Sequence, residues 1–297
     1  MKVRQARQFG LRTIAVISLL GLVLPTPLAW ALDDGGTSKE AVPSGVFCCV
    51  NPDACCAANR NCGFYAGILV GGAVSANDPI VQSGTAFITP PLAVRASGDA
   101  KSRAGVMAGL HLGYQWGEPT VAGDSDWRIL PAVEFEAYYL GTRQAGLLNN
   151  PTDRLPEHLF DYRAPLDIAV LMPNLLLTLH TPYRIHPYVG VGVGAALVSN
   201  HGVTSLQLSP PEPGINHFNS DPNASDWAIA ATCRAGLRFD LGDSWYLFTE
   251  YKFLAIGATD YTFGSTVYPI HPPTSAWSVH YGTMFEHMGV LGLGCRF

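Results

Sequence analysis

Eight stretches of the chain alternate apolar with small or polar residues at a period of two: 63–76, 104–117, 126–140, 167–181, 185–199, 226–240, 244–258 and 278–297. In the last of them Phe297, Cys295, Leu293, Leu291, Gly289 and Phe285 fall on one face, and Arg296, Gly294, Gly292, Met288 and Glu286 on the other. That separation follows because successive strand side chains point to opposite sides of a sheet. In 104–117 the apolar face carries Val106, Leu110, Leu112, Tyr114 and Trp116, against Met107, His111 and Gln115. In 185–199 a glycine stripe, Gly190, Gly192 and Gly194, backs an apolar face of valines. The stretch 167–181 also fits a helix. Read as a strand, it points Leu171, Leu175, Leu177 and Leu179 outward, and Pro173 predicts a bulge there because proline cannot donate to a ladder.

The connections between these stretches alternate. Those near 78–103, 141–166, 200–225 and 259–277 are long and read as loops, whereas 118–125, 182–184 and 241–243 are short. Short turns on one side and long loops on the other suit a barrel that crosses a membrane, and lipid demands closure because it cannot satisfy an open sheet edge. The predicted fold is therefore all-β, an eight-stranded antiparallel up-and-down transmembrane β-barrel over 63–297. An even strand count puts both barrel ends on one side, the periplasmic one.

Composition sharpens this. The 297 residues are 48% hydrophobic with 31 glycines, yet only 14% are charged, against about 25% in ordinary soluble domains. A wall facing lipid needs few charges. The net charge of −5 argues against a nucleic-acid partner. Residues 1–31 read as a cleaved signal peptide: Lys2, Arg4, Arg7 and Arg12 precede an apolar run over 13–23, and Ala29-Trp30-Ala31 fits the cleavage site. That run is too short to span a bilayer, which takes roughly 20 residues.

Residues 32–62 form a cysteine-rich periplasmic segment with Cys48, Cys49, Cys55, Cys56 and Cys62; Cys233 and Cys295 complete seven. Exported proteins can keep disulfides. The doublets do not match the usual zinc spacing and no histidine lies nearby, so disulfides are favoured over a metal, and no cofactor is expected. In a closed barrel the last strand pairs with the first. Cys295 and Cys62 then share the periplasmic rim, where with the cluster they are candidates for disulfides, some of them to neighbouring chains. Alternatively, Cys233 and Cys295 are simply small lipid-facing residues.

Several short motifs carry a family resemblance: Gly63-Phe64-Tyr65-Ala66-Gly67, the run from His186 to Gly192, Ala235-Gly236-Leu237-Arg238-Phe239 with Trp245 and Glu250-Tyr251, and the ending Gly294-Cys295-Arg296-Phe297. Over 63–297 the chain resembles the OmpA-like eight-stranded outer-membrane barrels, including porin-family and surface-antigen types. The resemblance implies a place in the bacterial outer membrane and contact of the loops with surfaces or antibodies, through a ligand one sequence does not name.

Face parity puts Glu134, Glu136, Arg234, Arg238, Glu250, Lys252, Glu286 and Arg296 inside the barrel. Four acids and four bases should pair there, because an unpaired buried charge is costly. They read as a plug, since eight strands leave an interior that side chains can fill; a narrow ion path gated by the same pairs is the rival. His111 and His180 face inward without a neighbouring serine or acid motif, and His158, His201, His217, His271 and His280 sit in or near loops. No G-x-S-x-G, H-E-x-x-H or P-loop pattern occurs, so catalysis is not expected. The reading is a structural or surface-interaction barrel, with a small porin as one alternative and a secreted soluble β-sandwich as another.

Overall fold

The computed structural model describes residues 62–76, 78–101, 103–117 and 126–297. The signal peptide and the cysteine cluster at 48–56 lie outside them. Every regular element among the described residues is a strand: β1 Gly63–Ser75, β2 Pro79–Ala86, β3 Leu92–Asp99, β4 Ala104–Gln115, β5 Arg128–Asn149, β6 Leu159–His180, β7 Ile185–Asn200, β8 Thr204–Ser209, β9 Ala224–Asp240, β10 Trp245–Ile256, β11 Thr259–Phe263, β12 Trp277–Tyr281 and β13 Met284–Arg296.

Eight of them close a ring in the order β1–β4–β5–β6–β7–β9–β10–β13, every pair antiparallel. The seam joins first strand to last, with Ala66 opposite Cys295 and Val70 opposite Leu291. This is one sheet closed on itself, not the two packed sheets of a sandwich. Each ring strand alternates as its sequence does. Ile68, Leu112, Val133, Leu175, Val191 and Ile229 stand outward and exposed, while Leu69, Ala132, Leu176 and Ala230 are buried.

At Pro173 the expected bulge does not form. Leu171 pairs Ala195 and Asn174 pairs Gly192, which is the same offset. The missing N–H interrupts the β6–β7 ladder without inserting a residue, and Pro173 still keeps its place opposite Phe135 on β5.

The larger departure concerns the long connections, which are mostly strand. β5 and β6 have 22 residues each and pair from Arg128–His180 to Asn149–Leu159, whereas a tilted crossing strand needs about 9–11. Their far halves carry an extension of the wall. β3 joins β5, and β2, β12 and β11 follow; β8 joins β6. The gap between β8 and β11 is closed by segment 215–222, with the His217 amide donating to the Ser205 carbonyl (3.0 Å) and the Gly264 amide to that of Asp221 (2.8 Å). The single strand expected over 278–297 is accordingly two. At Gly282 and Thr283 the chain leaves β12, which pairs β2, and enters β13 in the ring.

The interior of the extension is packed with aromatics. Phe218 stacks on Phe263 with centroids 4.8 Å apart. The Tyr162 and Tyr281 hydroxyls meet at 2.5 Å, and that of Tyr281 donates to Asn200 Oδ1 at 2.9 Å. Between extension and turns lies the lumen of the eight-stranded ring.

Candidate functional site

Three ring strands build the centre of the lumen. β5 supplies Glu134 and Glu136, two residues apart and therefore on one face. β9 supplies Arg234, and β10 supplies Glu250 and Lys252. In the ring order β5 and β10 stand on opposite walls, so their contacts span the lumen. Arg234 reaches Glu134 (2.5 Å), Glu136 (2.8 Å) and Glu250 (3.5 Å). Lys252 reaches Glu136 (2.8 Å) and Glu250 (3.1 Å). Glu136 and Lys252 are 0% exposed. Gly190, opposite Arg234 in the β7–β9 ladder, lies against the guanidinium: a Cβ there would approach Arg234 Nε to 3.1 Å.

Arg238 lies two inward steps along β9, past Gly236, and has no carboxylate in this cluster. Its guanidinium donates to Gln115 Oε1 (3.1 Å) and sits among the rings of Tyr246, Tyr65 and Tyr188, at 4.5, 5.1 and 5.7 Å from their centroids. Cation–π attraction is strongest in such a desolvated place. The Tyr188 hydroxyl donates to Glu250 Oε2 (2.8 Å), linking this cage to the central cluster. His111 adds to the same body, with Nδ1 3.6 Å from Glu134 and Nε2 3.3 Å from the Tyr246 hydroxyl. The central body thus holds three carboxylates and three permanent cations, and the anions lie between the cations.

Inward glycines make room for the tyrosines. A Cβ at Gly113 would collide with the Tyr65 ring, and one at Gly294 with that of Tyr246.

Of the eight charges placed inside by parity, five form one cluster: Glu134, Glu136, Arg234, Glu250 and Lys252. Arg238 occupies the tyrosine cage beside it. Arg296 is elsewhere, at the short-turn rim, donating to Asp240 (2.7 Å), which also takes His186 Nε2 at 2.9 Å. Glu286 is at the other end of the lumen, where it accepts from Ser75 Oγ (2.7 Å). Asp240, Gln115, His111 and the tyrosines were not singled out by charge. Their inward parity marks them equally, and that was the usable signal. His180 stacks on His186 at the rim, centroids 4.5 Å apart.

Cys295, expected in a rim disulfide, is a free thiol, as is Cys233. The β1–β13 register sets Cys295 opposite Ala66. Cys48, Cys49, Cys55 and Cys56 lie outside the described residues.

At the far end of the molecule, Asp78 begins the extension. Its carboxylate accepts from Gln144 Nε2 (3.1 Å). Burial pushes its pKa up to about 6, although the Phe285 amide and Gln144 pull the other way.

No protein-family model matches the chain, and no curated protein does. Solved structures match over most of it. Neisserial surface protein A is 12% identical and aligns over 79% of this chain and 97% of its own, with a TM-score of 0.40. OprG from Pseudomonas aeruginosa is 16% identical over 80% and 97%, with a TM-score of 0.35. The outer membrane protease OmpT from Escherichia coli is 5% identical over 78% and 97%, with a TM-score of 0.36. At these identities and scores the barrel stands on its own closed ladder, and none of these proteins' roles passes to this chain by likeness.

Proposed function

We propose that this chain is a bacterial outer-membrane barrel of the small OmpA-like kind, exported on a cleaved signal peptide, whose work lies in the extension held out from the lipid rather than in a pore. What carries this reading is the span of the lumen by Glu136, which meets Arg234 and Lys252 from the opposite wall with no exposure. A permeating ion would have to break that cluster and then pass the aromatic packing around Phe218, Tyr162 and Tyr281. Separating buried charges costs several kcal/mol, so a standing pore is disfavoured.

The lipid contact is read from the outward band of Ile68, Leu112, Leu175, Val191 and Ile229. Past Tyr139, the outer wall carries more bases than acids: Lys101, Arg103, Arg143 and Arg163 line one groove with Asp161, which pairs with Arg163 at 2.7 Å, and we assign the net positive charge to contact with headgroup phosphates. The surface presented beyond the membrane then acts as a recognition platform, adhesin- or antigen-like, for a ligand still to be identified. The central charges satisfy one another, so we assign them to sealing and not to catalysis.

Planar-bilayer recording of purified, folded protein tests the reading: no unitary conductance is expected, and stable single-channel steps would overturn it in favour of a small porin. Membrane fractions should also contain a band whose mobility shifts on boiling.

A further inference from the structure

The extension holds one polar cluster that the lumen network does not account for. Glu212 follows β8, His217 belongs to the segment that closes the wall, and His271 lies in the β11–β12 connection. Both imidazoles aim Nε2 at the same carboxylate oxygen, Glu212 Oε2, from 3.3 Å (His271) and 3.6 Å (His217).

Each ring's other nitrogen is committed. His217 Nδ1 is 2.9 Å from the Ser205 carbonyl oxygen, and His271 Nδ1 is 2.6 Å from that of Pro272. A carbonyl oxygen only accepts, so both Nδ1 atoms carry the proton. A neutral imidazole protonated there presents a lone pair at Nε2. Two lone pairs and a carboxylate oxygen therefore converge on one point, and Glu212 Oε2 is a buried atom with no hydrogen-bond partner. That arrangement is repulsive unless a cation is shared among the three.

A proton on one Nε2 would pair that ring with Glu212 and leave the other lone pair facing the carboxylate, and protonating both rings would set two imidazolium ions against one carboxylate, with His217 nearly fully buried. A divalent ion satisfies all three donors at once.

The dimensions fit. Zinc takes imidazole nitrogen and carboxylate oxygen at about 2.0–2.2 Å in a tetrahedron, which places neighbouring donors roughly 3.3–3.5 Å apart. The three donor atoms here lie within 4.8 Å of one another, so a small closing movement of the His217–His271 pair completes the set. Backbone carbonyls holding the far nitrogens are the outer partners that fix tautomer and ring orientation in metal sites. Two nitrogens and one oxygen suit zinc or its transition-metal neighbours and not calcium or magnesium, which take oxygen. The other carboxylate–histidine group among the described residues, His111 with Glu134 and Glu136, already has its cations in Arg234 and Lys252.

We propose that Glu212, His217 and His271 bind a Zn²⁺ ion, with a fourth position left for water or an incoming ligand. The ion ties the chain after β8 to the β11–β12 connection, across the part of the extension's wall that is closed by loop segments instead of a strand ladder.

Calorimetric titration of Zn²⁺ into the folded full chain in detergent tests this, with a parallel Co²⁺ titration followed by absorbance. Saturable zinc binding is expected, weakened at least about ten-fold by His271→Gln and by Glu212→Gln, a floor taken from the loss of merely outer partners in metal sites. His280→Gln, at an exposed pair with Asp260, should leave it unchanged. Co²⁺ should give visible ligand-field bands without the near-ultraviolet charge transfer of thiolate ligation, which separates this site from the cysteines at 48–56. Absence of saturable binding, binding unaffected by both substitutions, or a thiolate spectrum would overturn the proposal. Boil-dependent mobility confirms that each variant is folded, and Glu212→Gln, partly exposed, remains informative if His271→Gln fails to fold.

Discussion

Arg234 and Lys252 are direct cross-strand partners in the β9–β10 ladder, two cations side by side on the inner face of the barrel. Like charges in that relation repel. They coexist because Glu136 crosses from the opposite wall to take both at 2.8 Å, with Glu250 beside them. The two strands are thus held at their inner face by a residue of neither.

Glu136→Ala should therefore destabilise far more than a single lost contact would, since it leaves two buried cations short of an anion. The expected loss is about 3–5 kcal/mol, read from urea unfolding in lipid vesicles. Exchanging Glu136 and Lys252 together for methionine should recover most of it.

Leu175→Arg places a charge on the outward band and should cost roughly 2–4 kcal/mol if that face meets the bilayer near its midplane. Arg163→Leu, on the outer wall of the extension, should change unfolding by well under that. Equal effects in the two variants would argue against lipid contact.

Gly113→Leu forces a side chain into the space of the Tyr65 ring. Displacing that ring disturbs the cage around Arg238, so overpacking of about 1–3 kcal/mol is expected. The measurable outcome is a reduced folded, boil-sensitive fraction on electrophoresis.

Asp78 supplies a pH dependence with a definite sign. Burial raises its folded pKa to about 6 from the ordinary value of 3.8. As pH rises between those values, the unfolded chain releases the proton first, so stability falls across that window and the penalty is complete above it. Gln144, the Phe285 amide and the nearby Glu286 are the groups that face it. Asp78→Asn should raise the thermal midpoint at neutral pH by a few degrees and flatten its change between about pH 4 and 6. An unaltered profile would discount the buried carboxyl.

The eight ring strands were legible because each needs an apolar outer face, and that stripe is visible in sequence from Ile68 to Leu291. β2, β3, β8, β11 and β12 were not, because their outer faces meet no such apolar requirement. Arg95 on β3 and Asp260 on β11 point outward while Gln82 and Ser205 bond to each other inside (2.8 Å), so those segments read as polar loops. Parity found the charges of the lumen but could not say which would meet. Arg238 and Arg296 both lie against the Tyr246 ring, but Arg238 is caged by two further tyrosines and Arg296 meets Asp240. The Glu212, His217 and His271 grouping was illegible for a simpler reason. Its members come from two connections far apart in sequence, and no local spacing announces them.

The pairing of β2 with β12 prolongs the seam between β1 and β13, because each lies next in the chain to one of those two strands. It extends that joint into the upper wall, where Tyr281 lies opposite Ile80. An antibody specific for that junction would therefore recognise only barrels whose first and last strands have met.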